Sequence, residues 1–218
     1  ERMGFETVAF GSTKDFAGKV RPLLKEHRQL TFVSTGVSQA IALLGLNLVH
    51  RCRVRHVHMV HGGADEKLSY GRKKWLNWTN TTFVAVSDFV KERLAANGVR
   101  TRKVEVIENF LSPSWMYSFP RRDAVETGGA RNVIVVSRVD PIKRVDMLLD
   151  AVDRCPELAA IQFNIYGKGW DYDKLKKRAD ETLPNIEFKG FDPDIKSRYR
   201  EHDLLLHLCP EEPFGLAI

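Results

Sequence analysis

Short runs of β-branched and aromatic residues recur through this chain with helix-length stretches between them, and that alternation constrains the fold more than any other feature. Parallel strands need a crossover long enough to return the chain, and a helix is the usual one. The pattern therefore predicts an α/β protein with parallel sheets covered on both faces. In the first half, Leu30-Thr31-Phe32-Val33-Ser34 and Val54-Arg55-His56-Val57-His58-Met59-Val60 read as strands around a helix from Ser38 to Val49. Thr82-Phe83-Val84-Ala85-Val86 is a third strand. Ser87 is placed to cap a helix from Asp88 to Asn97, Gly98 to end it, and Val104-Glu105-Val106-Ile107 closes the half. Pro113, Pro120 and Gly128-Gly129 with scattered aromatics then interrupt the pattern, so domains are expected at 1–110 and 131–218, joined by a linker at 111–130. The alternation restarts with strands at Asn132 to Ser137, Ile161 to Tyr166, Ile186 to Lys189 and Leu204 to Leu208. Its helices run from Val145 to Asp153, Asp171 to Thr182 and Asp194 to His202.

The ends carry their own expectation. The chain opens at Glu1-Arg2-Met3 without an initiator Met, and EEPFGLAI at its close reads as a turn launching a helix, in which Pro213 fixes φ and Gly215 permits close approach. Both domains are thus expected to be truncated, the first at its start and the second at its end.

An apolar fraction of 43% with 28% charged residues excludes disorder, and 218 residues leave room for two small cores. Cys52, Cys155 and Cys209 are odd in number and show no metal-ligand spacing, which reads as reduced thiols in the cytoplasm. No apolar run reaches the ~20 residues of a membrane span. The formal net charge of +6 favours an anionic partner, either a phosphate-bearing ligand, an acidic membrane surface or nucleic acid. No nucleic-acid-binding module is recognisable, so nucleic acid is set aside.

Ligand-binding turns of open α/β sheets follow the carboxyl ends of the strands. Arg138 directly follows the strand ending at Ser137, and Lys143 lies at the start of the next helix, so both cations can converge on one anion near a helix N-terminus. Two solvated surface cations are the plainer account of such a pair. Gly167-Lys168-Gly169 is either a phosphate-approaching turn or a plain tight turn. Glu212, ahead of Phe214-Gly215, sets a carboxylate at the same end of the sheet, where its natural partner is a hydroxyl, as on a sugar.

Together these residues resemble the retaining glycosyltransferases of family 4. VSRVDPIKRVDMLLDA is similar to the family's strand ending in Gly-Arg with a Lys several residues on, and EPFGLAI to the start of its Glu-x7-Glu motif. VHMVHGG is similar to its strand ending in His-Gly, and FVAVSDFVKERLAANGV and KVEVIENF to the last helix and strand of its acceptor-side domain. The resemblance implies a GT-B fold of two facing Rossmann-like domains, with 1–110 on the acceptor side and 131–218 binding the nucleotide sugar. It implies transfer, with retained configuration, from a nucleotide diphosphate sugar to a glycan or lipid-linked acceptor in cell-surface polysaccharide or glycolipid synthesis, with no metal or other cofactor. Arg138 and Lys143 would hold the leaving diphosphate, Glu212 a hydroxyl of the donor sugar, and His61 would stand near that sugar. Gly167, Phe214 and the amides of Gly215 and Leu216 would add to the donor site, and the turn Lys189-Gly190-Phe191 would take the nucleobase. The second Glu of the motif falls beyond Ile218, so weak nucleotide binding without turnover is expected of this chain. Ser137 stands where the family usually has Gly, Arg144 where a Gly often follows the Lys, and Phe110 where Asn-Gly is common.

Other readings share parts of this pattern. A non-catalytic sugar-nucleotide-binding domain, or another GT-B enzyme such as a sugar synthase, would carry the same donor motifs. A Rossmann dehydrogenase would need a GxGxxG after its first strand, which is lacking. His56, His58 and His61 invite a metal reading, but two share a strand face while the third lies past the strand end, so structural roles are expected for His56 and His58. The stretch at 66–83 mixes Arg72, Lys73 and Lys74 with Tyr70, Trp75 and Trp78. It suits either an anionic membrane surface on the inner face of the cytoplasmic membrane or an ordinary helix with an exposed basic face.

Overall fold

The computed structural model describes residues 8–63, 66–110 and 131–215. The linker expected at 111–130 and Leu216 lie outside the described residues. The chain divides into two compact units, Glu1–Phe110 and Leu111–Ile218, each built on a four-stranded, all-parallel sheet.

The first unit runs α1 (Thr13–Glu26), β1 (Gln29–Ser34), α2 (Val37–His50), β2 (Arg53–Val60), the single turn α3 (Glu66–Ser69), a 3-10 segment at Gly71–Trp78, β3 (Thr81–Ala85), α4 (Asp88–Ala96) and β4 (Val104–Val106). The strands lie in the order β1-β2-β3-β4, so each crossover returns beside the strand just left. Helix α1 has no counterpart in the predicted pattern, because Gly18 and Pro22 lie inside it. It forms because Ser12 Oγ accepts the Asp15 amide at 3.1 Å, and because Phe16, Val20 and Leu24 recur every four residues on the face that packs with Leu43 and Cys52. Around α4 the predicted caps are present. Ser87 Oγ accepts the Val90 amide at 3.3 Å, and Gly98, at φ 85°, lets the Val99 amide reach the Leu94 carbonyl at 3.0 Å.

A polar layer is buried in this sheet. His56 and His58 alternate inward on β2, and Ser34 Oγ lies 2.8 Å from both His56 Nε2 and His58 Nδ1. His56 Nδ1 meets Thr81 Oγ1 at 2.7 Å, Phe32 stacks on the His56 ring, and Phe83 meets His58 edge-on. Burial pushes His56 down to about 4. Burial, helped by the charges of Lys73 and His56, pushes His58 down to about 3. Both rings are therefore neutral at pH 7. Among the described residues, His58 Nε2 is buried without a hydrogen-bond partner, a costly arrangement for a polar atom.

The second unit runs β5 (Asn132–Val136), a 3-10 turn at Pro141–Lys143, α5 (Val145–Arg154), β6 (Gln162–Tyr166), α6 (Tyr172–Thr182), β7 (Ile186–Gly190), α7 (Ile195–Tyr199) and β8 (Leu204–Leu205). The order β7-β6-β5-β8 puts the reversal of strand order between β5 and β8, where open α/β sheets leave a crevice at the strand carboxyl ends. Val133, Val135, Phe163 and Ile165 of the sheet bury against Leu148 and Leu149 of α5 and Leu175 and Ala179 of α6. Asp203 pins β8 beside β5, its Oδ2 accepting the Arg131 and Asn132 amides at 3.0 and 2.9 Å.

Two elements are shorter than the sequence suggests. The strand expected to reach Leu208 ends at Leu205; the Leu206 amide makes one last bond to the Ile134 carbonyl at 2.9 Å, and the Leu206 and Leu208 side chains pack against the core. The helix expected from Asp194 to His202 spans only Ile195–Tyr199, after which the Arg200 and Glu201 amides tighten onto the Ser197 and Arg198 carbonyls.

Candidate active site

The turns after β5 and β6 are locked to each other. A Cβ on Gly167, whose φ is 133°, would stand 1.9 Å from the Ser137 carbonyl oxygen, and one on Gly169 would stand 2.5 Å from the Val139 carbonyl oxygen. Only glycine permits this approach. The Val139 amide donates to the Lys168 carbonyl at 3.1 Å, the Asp171 amide to the Val139 carbonyl at 3.0 Å, and the Trp170 amide to Asp140 Oδ1 at 3.1 Å. The Gly167 amide donates to the Gly190 carbonyl at 2.7 Å. The Gly167 amide and the Lys168 carbonyl are thus both engaged within the paired turns.

This scaffold positions the cations. Arg138, mostly exposed, pairs with the buried Asp140 at 2.7 Å. Lys143 closes the 3-10 turn, and its ammonium lies 2.5 Å from Glu212 Oε2 with both side chains largely covered. Arg144 follows at φ 50°, ψ 37°, a left-handed conformation that costs a non-glycine residue about 1–2 kcal/mol. His207 Nε2 lies 3.1 Å from the same Glu212 oxygen. Burial alone would raise the Glu212 carboxyl, but the hydrogen bond and charge of Lys143, with His207 behind them, outweigh it and hold the group below the usual carboxylate range. The fold therefore joins Lys143 and Glu212, two predicted site residues 69 positions apart, while Arg138 is held separately by Asp140.

A cavity of about 610 Å³ is lined by Ser137, Arg138, Tyr166, Gly167, Phe191 and Asp192, among others. Phe191 is 73% exposed at its rim, presented by Gly190 at φ 74°. Lys189 pairs with Glu187 at 2.5 Å, its neighbour on β7. Phe214 is half-buried, and Gly215 has φ 82°.

Four residues escaped the sequence reading: Asp140, Asp192, His207 and Cys209. Asp192 Oδ2 accepts Arg198 Nε at 2.8 Å, and its Oδ1 accepts the Asp194 amide at 2.8 Å, fixing the start of α7. The Cys209 sulfur lies within 4.8 Å of donor atoms of His207 and Glu212. The donors sit on irregular backbone after a two-residue strand, where no periodicity marks them. No group of His56, His58 and His61 that could hold a metal is found among the described residues.

In the first unit, His61 is exposed beyond the carboxyl end of β2, just before Gly62 at φ 92°. A second cavity, of about 580 Å³, is lined mainly by Ile41, Leu44 and Leu48 of α2 and by Trp75 and Leu76. The segment holding Trp75 is a 3-10 turn rather than an ordinary helix, and it is not uniformly basic outside. Lys73 is buried with its ammonium on the Ser69 carbonyl. Trp75 and Trp78 stay exposed, and the Arg100 guanidinium lies 4.7 Å over the Trp78 ring.

Two family descriptions match side by side, Glycosyltransferase Family 4 over residues 9–115 and Glycosyl transferases group 1 over residues 120–218. The GtfA subunit of the Streptococcus gordonii UDP-N-acetylglucosamine–peptide N-acetylglucosaminyltransferase is 33% identical over 90 residues, 40% of this chain and 18% of its own. Anabaena HepE, in complex with UDP and glucose, is similar with a TM-score of 0.72 and 20% identity over 97% of this chain and 62% of its own. A variant of S. aureus TarM, in complex with Fondaparinux, alpha-GlcNAc-glycerol and UDP, is similar with a TM-score of 0.71 and 18% identity over 94% of this chain and 42% of its own. The chain thus spans less than two thirds of the length of each of these proteins. With one family match on each parallel-sheet unit, the chain belongs to the group 1, family 4 glycosyltransferases, enzymes of sugar transfer with the GT-B fold.

Proposed function

We propose that the unit of β5–β8 binds a UDP-sugar and that the enzyme transfers the sugar, with retained configuration, to a glycan or lipid-linked acceptor of the cell surface. The observation that carries this reading is the placement of Arg138, Lys143 and Glu212 on the turns after β5 and β8, at the reversal of strand order. An arriving diphosphate competes with Asp140 and Glu212 for the two cations, which then face the negative charge that grows on the leaving group. Glu212, ionised, accepts hydrogen bonds from hydroxyls of the sugar. Arg138 and Lys143 supply the positive charge of this scheme, so a metal ion is not part of it. Phe191, exposed at the cavity rim, takes the base by stacking. His61 acts on the acceptor side. The UDP in the HepE and TarM complexes supports uracil as that base.

Calorimetric titration with UDP, UDP-glucose and UDP-GlcNAc should give saturable binding. Arg138→Ala should weaken it by about ten- to hundredfold, the worth of a charge-assisted hydrogen bond. Binding unchanged in that variant, or absent for every nucleoside diphosphate, would overturn the reading. Binding by the full-length enzyme without transfer to any glycan or lipid acceptor would favour the non-catalytic alternative.

For the first unit we infer a membrane-facing role, supported by the exposed Trp75 and Leu48 that line an apolar cavity, by the exposed Trp78, and by Lys74 and Arg100 over the Trp75 and Trp78 rings. Cosedimentation with phosphatidylserine vesicles should exceed that with phosphatidylcholine vesicles and fade with salt, and Trp75→Ala with Trp78→Ala should reduce it. Equal binding to both vesicle types would count against this role.

A further inference from the structure

We propose that His207, Cys209 and Glu212 form a binding site for a divalent cation of zinc's chemical type, and that filling it inhibits sugar transfer. The three residues lie within the stretch HLCPEE after β8. Their imidazole nitrogen, sulfur and carboxylate oxygen all lie within 4.8 Å of one another, and each side chain is partly buried. His207 Nε2 and Glu212 Oε2 are already 3.1 Å apart. With metal–ligand distances of about 2.0–2.3 Å, donors around tetrahedral zinc stand about 3.4–3.6 Å from one another, so closing the set takes movements of only about an ångström. Pro210 within this stretch and Pro213 just after it fix φ at two positions, which restricts the conformations lost on closure. Sulfur, imidazole and one carboxylate form a borderline-soft set. It suits zinc or cobalt and not magnesium or calcium, which take oxygen ligands.

The inhibitory half rests on the donor reading above. Glu212 Oε2 is also the partner of Lys143, and a cation bound to Glu212 removes the carboxylate from the sugar hydroxyls while repelling the Lys143 ammonium. The expected consequence is loss of turnover that a chelator restores.

Cobalt(II) serves as the probe, because a thiolate ligand gives an ultraviolet charge-transfer band independent of any activity. The parent chain should show this band saturating near one equivalent. Cys209→Ser and His207→Ala should abolish it, whereas Cys155→Ser should retain it, since Cys155 lies elsewhere and is exposed. Absence of the band in the parent, or its persistence in Cys209→Ser, would overturn the site. In the full-length enzyme, stoichiometric zinc should lower sugar transfer about tenfold or more, an effect reversed by EDTA and missing in Cys209→Ser. Zinc occupancy with undiminished transfer would overturn the inhibition. A protein that binds cobalt as described but binds no nucleoside diphosphate would instead refute the donor reading and leave the metal site standing.

Discussion

Lys143→Ala in the full-length enzyme should lower the turnover of sugar transfer by about 10²–10³, the loss seen when one preorganised donor to a developing negative charge is removed. Two features of the site support so large an effect. Lys143 is largely covered, so its charge acts with little screening by water, and it sits on a short turn after a core strand, so its approach to the diphosphate needs little reorganisation. Arg138, whose side chain is 71% exposed, should matter less to turnover than to binding. Lys143→Arg should recover part of the activity, since charge is kept while the geometry changes. The measurement is steady-state transfer with the thermal midpoint followed in parallel. Turnover of Lys143→Ala within threefold of the parent, in a folded protein, would show that Lys143 only anchors Glu212.

The second large effect is on stability in acid. His56 and His58 titrate near 6.5 when the chain is unfolded but are pushed down to about 4 and about 3 in the fold. Below pH 6.5 the unfolded chain therefore takes up protons that the folded chain refuses. The stability these neutral rings contribute is complete above that pH and drains as the pH falls, through about 4 for His56 and on to about 3 for His58. With two protons at issue, the unfolding free energy should fall by about 2.7 kcal/mol per pH unit between 6 and 4.5, a large share of a domain's usual reserve of about 5–15 kcal/mol. Urea unfolding of the first unit, followed by Trp75 and Trp78 fluorescence, measures this slope. His58→Gln should cut it by about half. An unchanged slope in His56→Gln with His58→Gln would assign acid sensitivity to other groups.

Sequence and structure agree best where local preference and burial coincide. NVIVV and TTFVA become core strands because β-branched residues fill both faces of a covered parallel sheet. The capping of α4 was legible because Ser87 and Gly98 act within a few residues of themselves. Helix α1 was hidden because Gly18 and Pro22 weaken the local signal, and only packing on Leu43 and Cys52 restores it. The overlong reading of β8 has the opposite cause, since LLLHL is apolar enough for a strand but its later leucines go to side-chain packing. In the site, Arg138, Lys143 and Glu212 could be picked out by spacing and resemblance. The sharing of one Glu212 oxygen between Lys143 and His207 could not, because it depends on chain segments 69 residues apart meeting at the crevice.

The strand order of the second unit also dictates how that unit can assemble. Strands β6 and β7 complete one side of β5 early, but its other edge waits for Asp203 to Leu206, which arrive last and join it through the Asn132 and Ile134 carbonyls. During synthesis, the apolar NVIVV strand stays unpaired along that edge until some seventy further residues have emerged. Such an edge is a template for pairing with another chain. Newly made copies are thus most prone to associate wrongly in the interval before residues 203–206 leave the ribosome. A chain halted before Asp203 should partition into the insoluble fraction or onto chaperones, whereas one released after Leu206 should not.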